Sequence, residues 1–364
     1  MEIIKKRVTS VKLLASIVMA IAFMYIFSVN AFAVNLKQIG NSDNSVTVNW
    51  EGVKNTYSSI GSTTYSFTNV RIGYAEIPIG ANSTTQLSCS TTAKNNALNG
   101  QIVVPDNSFS YTITGLNPQS QYYVYVYCNI MRTTTSAYSG TKTTPYYENY
   151  FMNGCAVTRL VKVNNVAQEK WWKYIEKVDV NWTQVPQIGY NDVTYEVKFM
   201  DAKGRDIETK TSTYLGYSHA IKNNKIYTVK VRATRKPNAD YQMNMPTEVS
   251  EWSDVQYLFT QPTVKYAKLA KGKLTISWNK IAGVTSYDVY VSTKQSKGYK
   301  KVKTLKAKKS SYTIKKFKKK KLKKRQYFVY VVPNKKVAGK VIKKDVTYVY
   351  KVQKGVSTPS ECYK

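Results

Sequence analysis

From Val34 onward, apolar residues alternate with polar ones over runs of four to eight positions, and the runs are rich in Val, Ile, Thr and Tyr. Gly, Asn, Pro and Ser punctuate them. A period of two sends successive side chains to opposite faces of an extended strand. The pattern therefore predicts short, half-buried strands, and no stretch shows a long helical period. The clearest stretch is Tyr111–Tyr127, YTITGLNPQSQYYVYVY. It reads as a strand, a tight loop holding the apolar Leu116, and a second strand that opens on Tyr122. Parity places Tyr122, Val124 and Val126 inward. Tyr123, Tyr125 and Tyr127 then share the outward face, as a candidate aromatic contact surface or as cross-strand pairs on an exposed sheet.

The design recurs. Strands ending in tryptophan occur at Val46–Trp50, Val178–Trp182 and Leu274–Trp278. Each is followed by an alternating strand, at Val70–Tyr74, Tyr195–Phe199 and Tyr287–Val291. A tyrosine-led strand closes each set, at Tyr122–Val126, Tyr227–Val231 and Tyr327–Val331. A large indole fills the space between two sheets, and alternating apolar residues close the core from both sides. The leading tyrosine buries its ring and ties its hydroxyl to nearby backbone.

In these features the chain resembles fibronectin type III domains, in three tandem copies covering nearly all of the sequence after the N-terminal segment. Trp50, Trp182 and Trp278 match the family's B-strand tryptophan, and Tyr122, Tyr227 and Tyr327 its F-strand tyrosine. Gly115-Leu116-Asn117-Pro118 matches its G-L-x-P turn. The second copy lacks that turn, and Ile221, six residues before Tyr227, is placed to take the leucine's role. The resemblance implies an all-β protein of three β-sandwiches without catalytic activity. The expected domains are 34–145, 146–260 and 261–364, with borders near Pro145 and Pro262. The first carries a long Ser/Thr/Tyr-rich insertion after Trp50, read as an extended loop or an extra hairpin. The stretch Tyr146–Asn153 is aromatic and is expected to pack between domains.

Residues 1–33 read as a secretory signal peptide: Lys5, Lys6 and Arg7, an apolar run from Leu13 to Val29, and the small-residue site Ala31-Phe32-Ala33. The other reading of this run is an uncleaved membrane anchor. Export predicts an extracellular, secreted or cell-envelope-associated protein. Of the four cysteines, Cys89 and Cys128 fall in one expected domain and allow a disulfide there. Burial of some or all of them as small apolar groups is the other reading.

Charge changes the picture most. The chain carries a formal net charge of +34. Residues 261–364 hold 30 Lys and Arg against 3 Asp and Glu, a net of +27, whereas 34–145 and 146–260 are each +2. The excess peaks at Lys315–Arg325, KKFKKKKLKKR, in place of the tight turn of the first copy. Phe317, five residues after Tyr312 as Leu116 follows Tyr111, is expected to enter the core, with Leu322 as a second anchor. Lys315, Lys316, Lys318, Lys319, Lys320, Lys321, Lys323, Lys324 and Arg325 are then the candidate polyanion-binding residues. A solvated loop is the plainer reading of such a run. Self-repulsion makes it costly, however, and favours a partner such as an anionic cell-envelope polymer or lipid surface. Lysine in place of arginine argues against bidentate recognition, and no specific nucleic acid is expected.

His219 is the one histidine, with no nucleophile motif beside it. No metal or phosphate-loop motif is present and no cofactor is expected. Trp171, Trp172 and Tyr174 are read as packing residues or a glycan or protein contact. The function expected is therefore non-catalytic, secreted or cell-surface binding, with the lysine-rich domain as anchor. The rival is an adhesin or protein-contact module acting through the loops and exposed tyrosines of the first domain.

Overall fold

The computed structural model describes residues 36–364 apart from 51, 53, 54, 170–176, 189–191, 221–224, 261, 324 and 345. The signal-like segment, Trp171, Trp172, Tyr174, Ile221 and Lys324 lie outside the described residues.

The chain folds into two compact units. One holds residues up to 162 together with 184–194 and 233–251; the other holds 163–183, 195–232 and 252–364. The expected domain 146–260 thus contributes to both. In the first unit a buried ion pair gathers the distant segments. The Arg235 guanidinium pairs with Glu248 and donates to the carbonyls of Thr158 (2.8 Å) and Pro186 (2.9 Å).

The first unit contains β1 (Lys37–Asn41), β2 (Ser45–Asn49), β3 (Thr56–Ser58), β4 (Gly61–Ile77), α1 (Ser83–Leu98), β5 (Ile102–Val103), β6 (Ser110–Thr114), β7 (Gln121–Ser136) and β8 (Gly140–Val157). Its sheets run β1-β2-β6 and β3-β4-β7-β8, with β5 on β4. Val46, Val48 and Trp50 from one sheet meet Val124 and Val126 from the other in the core. The tight loop behaves as expected. Leu116 is buried and the Tyr122 hydroxyl accepts from the Asn117 N–H at 2.8 Å. The insertion after Trp50 does form a hairpin, β3 with the start of β4.

Helix α1 has no counterpart in the sequence pattern, because it lacks an apolar stripe. Its buried residues are Ser90, Ala93 and Ala97, and Asn82 caps it by accepting from the Thr85 N–H. Small side chains let it sit hard against the sheet at Gly73. A Cβ there would lie 2.1 Å from the Ala97 nitrogen and 2.3 Å from the Ala93 oxygen.

Pro145 marks no domain border. It lies inside β8 opposite Met131, and β8 is an edge strand, where a missing N–H is tolerated. Tyr146–Asn153, expected to pack between domains, are part of that same strand. Past irregularities near Asn69 on β4 and Asn129 on β7, the sheet continues as an arm. None of residues 61–66, 131–136 and 140–147 is buried. The arm is held by cross-strand pairs such as Thr133–Thr143 (3.0 Å) and Thr135–Thr141 (3.2 Å).

The middle region contains β9 (Ala167–Gln168), β10 (Lys177–Asn181), β11 (Val193–Asp201), β12 (Asp206–Ser212), β13 (Gly216–Ala220), β14 (Tyr227–Arg235), β15 (Glu248–Val249) and β16 (Gln256–Leu258). The C-terminal sandwich contains β17 (Val264–Ala270), β18 (Lys273–Trp278), β19 (Ser286–Ser292), β20 (Lys300–Lys306), β21 (Ser311–Ile314), β22 (Lys316–Phe317), β23 (Lys320–Lys321), β24 (Gln326–Val337), β25 (Lys340–Lys343), β26 (Tyr348–Gln353) and β27 (Ser360–Tyr363). A sheet ordered β17-β18-β21 faces one ordered β20-β19-β24-β26-β27, with β25 on β24. Trp278, Val289, Val329 and Val331 are buried in its core.

Replacing Gly73 by alanine is expected to push α1 off the sheet, at a cost of about 1–3 kcal/mol. Hydrogen exchange reads it: amides of α1 lose protection while those of β24 keep theirs.

Candidate functional site

The lysine run folds as a hairpin of two short strands, with Lys316 opposite Lys321 and Phe317 opposite Lys320. That register leaves Lys318 and Lys319 as a two-residue turn. Both have positive φ, 50° and 64°. Such turns match the twist of a hairpin but favour Asn-Gly, because a side chain is strained in the left-handed region. The same sandwich makes two more turns of this kind, at Lys271-Gly272 (φ 47° and 70°) and Ala338-Gly339 (φ 47° and 82°). Both carry glycine where the hairpin carries Lys319.

What holds the hairpin is apolar. Phe317 and Leu322 are 8% and 5% exposed and belong to the core of the sandwich. Phe317 meets Tyr327 edge-on at 6.3 Å. Burying each anchor contributes about 1.5–3 kcal/mol. That is comparable to the cost of a turn whose two left-handed lysines take on the order of 1–3 kcal/mol each. The like-charge pair Lys316–Lys321 adds a smaller penalty.

Lys315, Lys316, Lys318, Lys319, Lys320, Lys321, Lys323 and Arg325 are all exposed. Lys318 lies 5.5 Å from the centre of the Phe317 ring. Among the described residues, no carboxylate stands within ion-pair distance of the hairpin. Asp288 is buried, accepting from the Thr304 hydroxyl at 2.5 Å with Lys301 at 3.6 Å. Glu361 accepts from the Tyr350 hydroxyl at 2.9 Å. The third acid of the region, Asp345, lies outside the described residues.

The expected outward tyrosine face is not outward. Helix α1 packs on it, so Tyr123 is fully buried and Tyr127 nearly so. Tyr125 is half-buried, its hydroxyl 2.8 Å from that of Ser90 on α1. Burial pushes the Tyr123 phenol well above its ordinary range. Alternation identifies two faces, but the polar helix that covers one of them leaves no apolar signal. Exposed tyrosines sit instead on the arm. Tyr146 touches Tyr65 (4.9 Å between centroids) and Tyr147 (4.4 Å), with Arg132 over its ring at 5.8 Å.

The cysteines are free thiols. Cys128 is buried in the core between the two sheets, whereas Cys89 packs on the helix-covered face. Opposite faces of one sheet separate them, so the expected Cys89–Cys128 bridge does not form. Burial pushes the Cys128 and Cys155 thiols up to about 12.

His219 is buried, stacked on Phe199 at 3.9 Å, with Nδ1 3.2 Å from Glu208 Oε1. Burial lowers its pKa from the ordinary 6.5, and Glu208 opposes the shift. Among the described residues, no cluster of His, Cys, Asp or Glu is arranged to hold a metal. No described helix is long and apolar enough to cross a membrane.

No protein-family model and no curated protein matches the chain. Among solved structures, the crystal structure of chicken CNTN1 FN1–FN3 domains is similar, at 13% identity over 88% of this chain and 97% of that one, with a TM-score of 0.29. The sandwich architecture stands on the strand pairing given above.

Two outcomes follow. Replacing Lys318-Lys319 by Asn-Gly removes the strained turn, so the C-terminal sandwich is expected to gain about 1 kcal/mol or more, read as a higher urea midpoint. His219 titrates below its unfolded value, so the unfolded chain binds the extra proton first. Its contribution is complete above about pH 6.5 and is lost as pH falls through the folded value. A urea midpoint that declines as the solution is acidified below that pH, and a flatter profile in His219→Gln, would confirm it.

Proposed function

We propose that the protein is a non-catalytic binding and structural protein of the extracellular space or cell envelope. Its C-terminal sandwich anchors it to an anionic cell-wall polymer or membrane surface. The observation that carries this reading is the lysine hairpin: strained at its turn, pinned by two apolar anchors, and free of opposing carboxylates among the described residues. A loop needed only for the connection would use the Gly-containing turns found twice elsewhere in the same sandwich. Many weak lysine contacts give an affinity that falls steeply with salt, by counterion release. The nearly neutral remainder of the chain then serves as the projecting part.

The arm supports a second reading, as a protein- or glycan-contact module. Its Tyr146 and Tyr147 are exposed, with Tyr65 half-buried against Tyr146, on a stretch of sheet in which no residue is buried. This replaces the Tyr123, Tyr125 and Tyr127 surface, which α1 occupies.

Binding of the full-length chain to immobilised anionic polymer across a salt series tests the anchor. Replacing Lys316, Lys318, Lys319, Lys320 and Lys321 by glutamine is expected to weaken binding. The slope of log K against log salt should shrink by roughly 0.7 for each phosphate that the variant no longer neutralises. Salt-independent binding, or an unchanged slope, would discard the anchor.

A further inference from the structure

The hairpin is one end of a longer feature. Strand β20, KKVKTLK, is the edge of the larger sheet. Lys300, Lys301, Lys303 and Lys306 on it are all exposed. The tight connection after β20 carries the exposed Lys308 and Lys309, and the Lys309 N–H closes it onto the Lys306 carbonyl at 2.9 Å. It leads directly into β21, the edge of the facing sheet, and β21 leads directly into the lysine hairpin. Both edges thus flank one side of the sandwich. That side is basic from the hairpin at one end, along β20, to the Lys308-Lys309 turn at the other.

Edge strands often carry lysine simply to block pairing with another chain. The opposite edge of the same sheet tests that explanation. Strand β27, SECY, is equally an edge, yet it has no lysine and one glutamate. Protection against pairing would apply to both edges, whereas the charge follows only one. The one described acid near this track, Asp288, is 4% exposed and is engaged by Thr304 and Lys301.

The seven residues of β20 span about 23 Å at 3.3 Å per residue. That exceeds two screening lengths of about 8 Å at physiological salt. A flat surface touched end-on by the hairpin would leave the far lysines unused. A flexible chain lying along the edge would meet them in turn. Resting on the anchoring reading above, we propose that the ligand is a linear, phosphate-bearing polymer that lies lengthwise along the β20 edge, from the hairpin to the Lys308-Lys309 turn. Lysine suits such a chain, since a point charge on a flexible stem follows a phosphate without demanding a fixed orientation.

The test uses the full-length chain with tripolyphosphate, long-chain polyphosphate, and phosphatidylcholine vesicles containing phosphatidylglycerol, all at equal total phosphate across a salt series. Long-chain polyphosphate is expected to bind at least about tenfold more tightly than tripolyphosphate, with a steeper salt dependence. The variant K300Q/K303Q/K306Q spares Lys301, which pairs with Asp288. It should lose most of that gain, with the salt slope smaller by about 2, while tripolyphosphate binding at the hairpin stays within about twofold. The variant K300R/K303R/K306R should restore the gain, separating charge from folding. If long and short polyphosphate bind alike, or if the glutamine variant matches the unmodified chain, the lengthwise track is wrong while the anchor stands. Vesicle binding as strong as long-chain binding and indifferent to the edge variant would also overturn it, in favour of end-on contact with a surface. Absence of binding to every probe would remove the anchor, and the track with it.

Discussion

The C-terminal sandwich depends on one constraint: mutually repelling lysines stay together only if something uncharged holds them. Phe317 and Leu322 meet that need. Both reach the core, Phe317 against Tyr327, so the connection between β21 and β24 is fixed near its start and past its middle. The charges between these points have no freedom to spread except through their side chains. Loss of either anchor would release the run into a solvated loop with the same charge and no shape.

In the first unit, outside its apolar core, the helix and the distant segments are held with little apolar material. Helix α1 buries two alanines and a serine, and its attachment depends on the missing side chain at Gly73 and on the Ser90–Tyr125 contact. Arg235, paired with Glu248 and bonded to two carbonyls, joins stretches of chain far apart in sequence. Its full set of partners matters, since a buried charge stripped of one partner is costly. Polar groups thus do in this unit what phenylalanine and leucine do in the other.

The strands and both core anchors of the hairpin were legible in sequence because each leaves a mark of period two or a bulky residue at a repeated distance. Trp50, Trp182 and Trp278 are all buried, and their indole nitrogens have no hydrogen-bond acceptor there. They serve through their volume, the property the repeat pattern detects. Other features were not legible. Parity distinguished the two faces of Tyr122–Tyr127 but could not show which was covered, because α1 is polar along its length. Pro145 read as punctuation when it was the mark of an edge strand. The pairing of Cys89 with Cys128 failed because sharing a domain says nothing of sharing a face. The lysine run announced its charge in sequence. That its turn lies at positive φ with no glycine became visible only from the register of β22 against β23.

The arm of the first unit has a consequence for cooperativity. Strands β4, β7 and β8 pass, through shifts of register, from the buried part of the sheet into a part where no residue is buried. Stability along these strands is therefore graded. The threonine pairs near the turn open first and the opening moves inward until it reaches Phe67 and Ile130. Unfolding of this sheet is a fraying front that halts at the core. A probe at Tyr146 and a probe at Trp50 would report different transitions within one continuous set of strands.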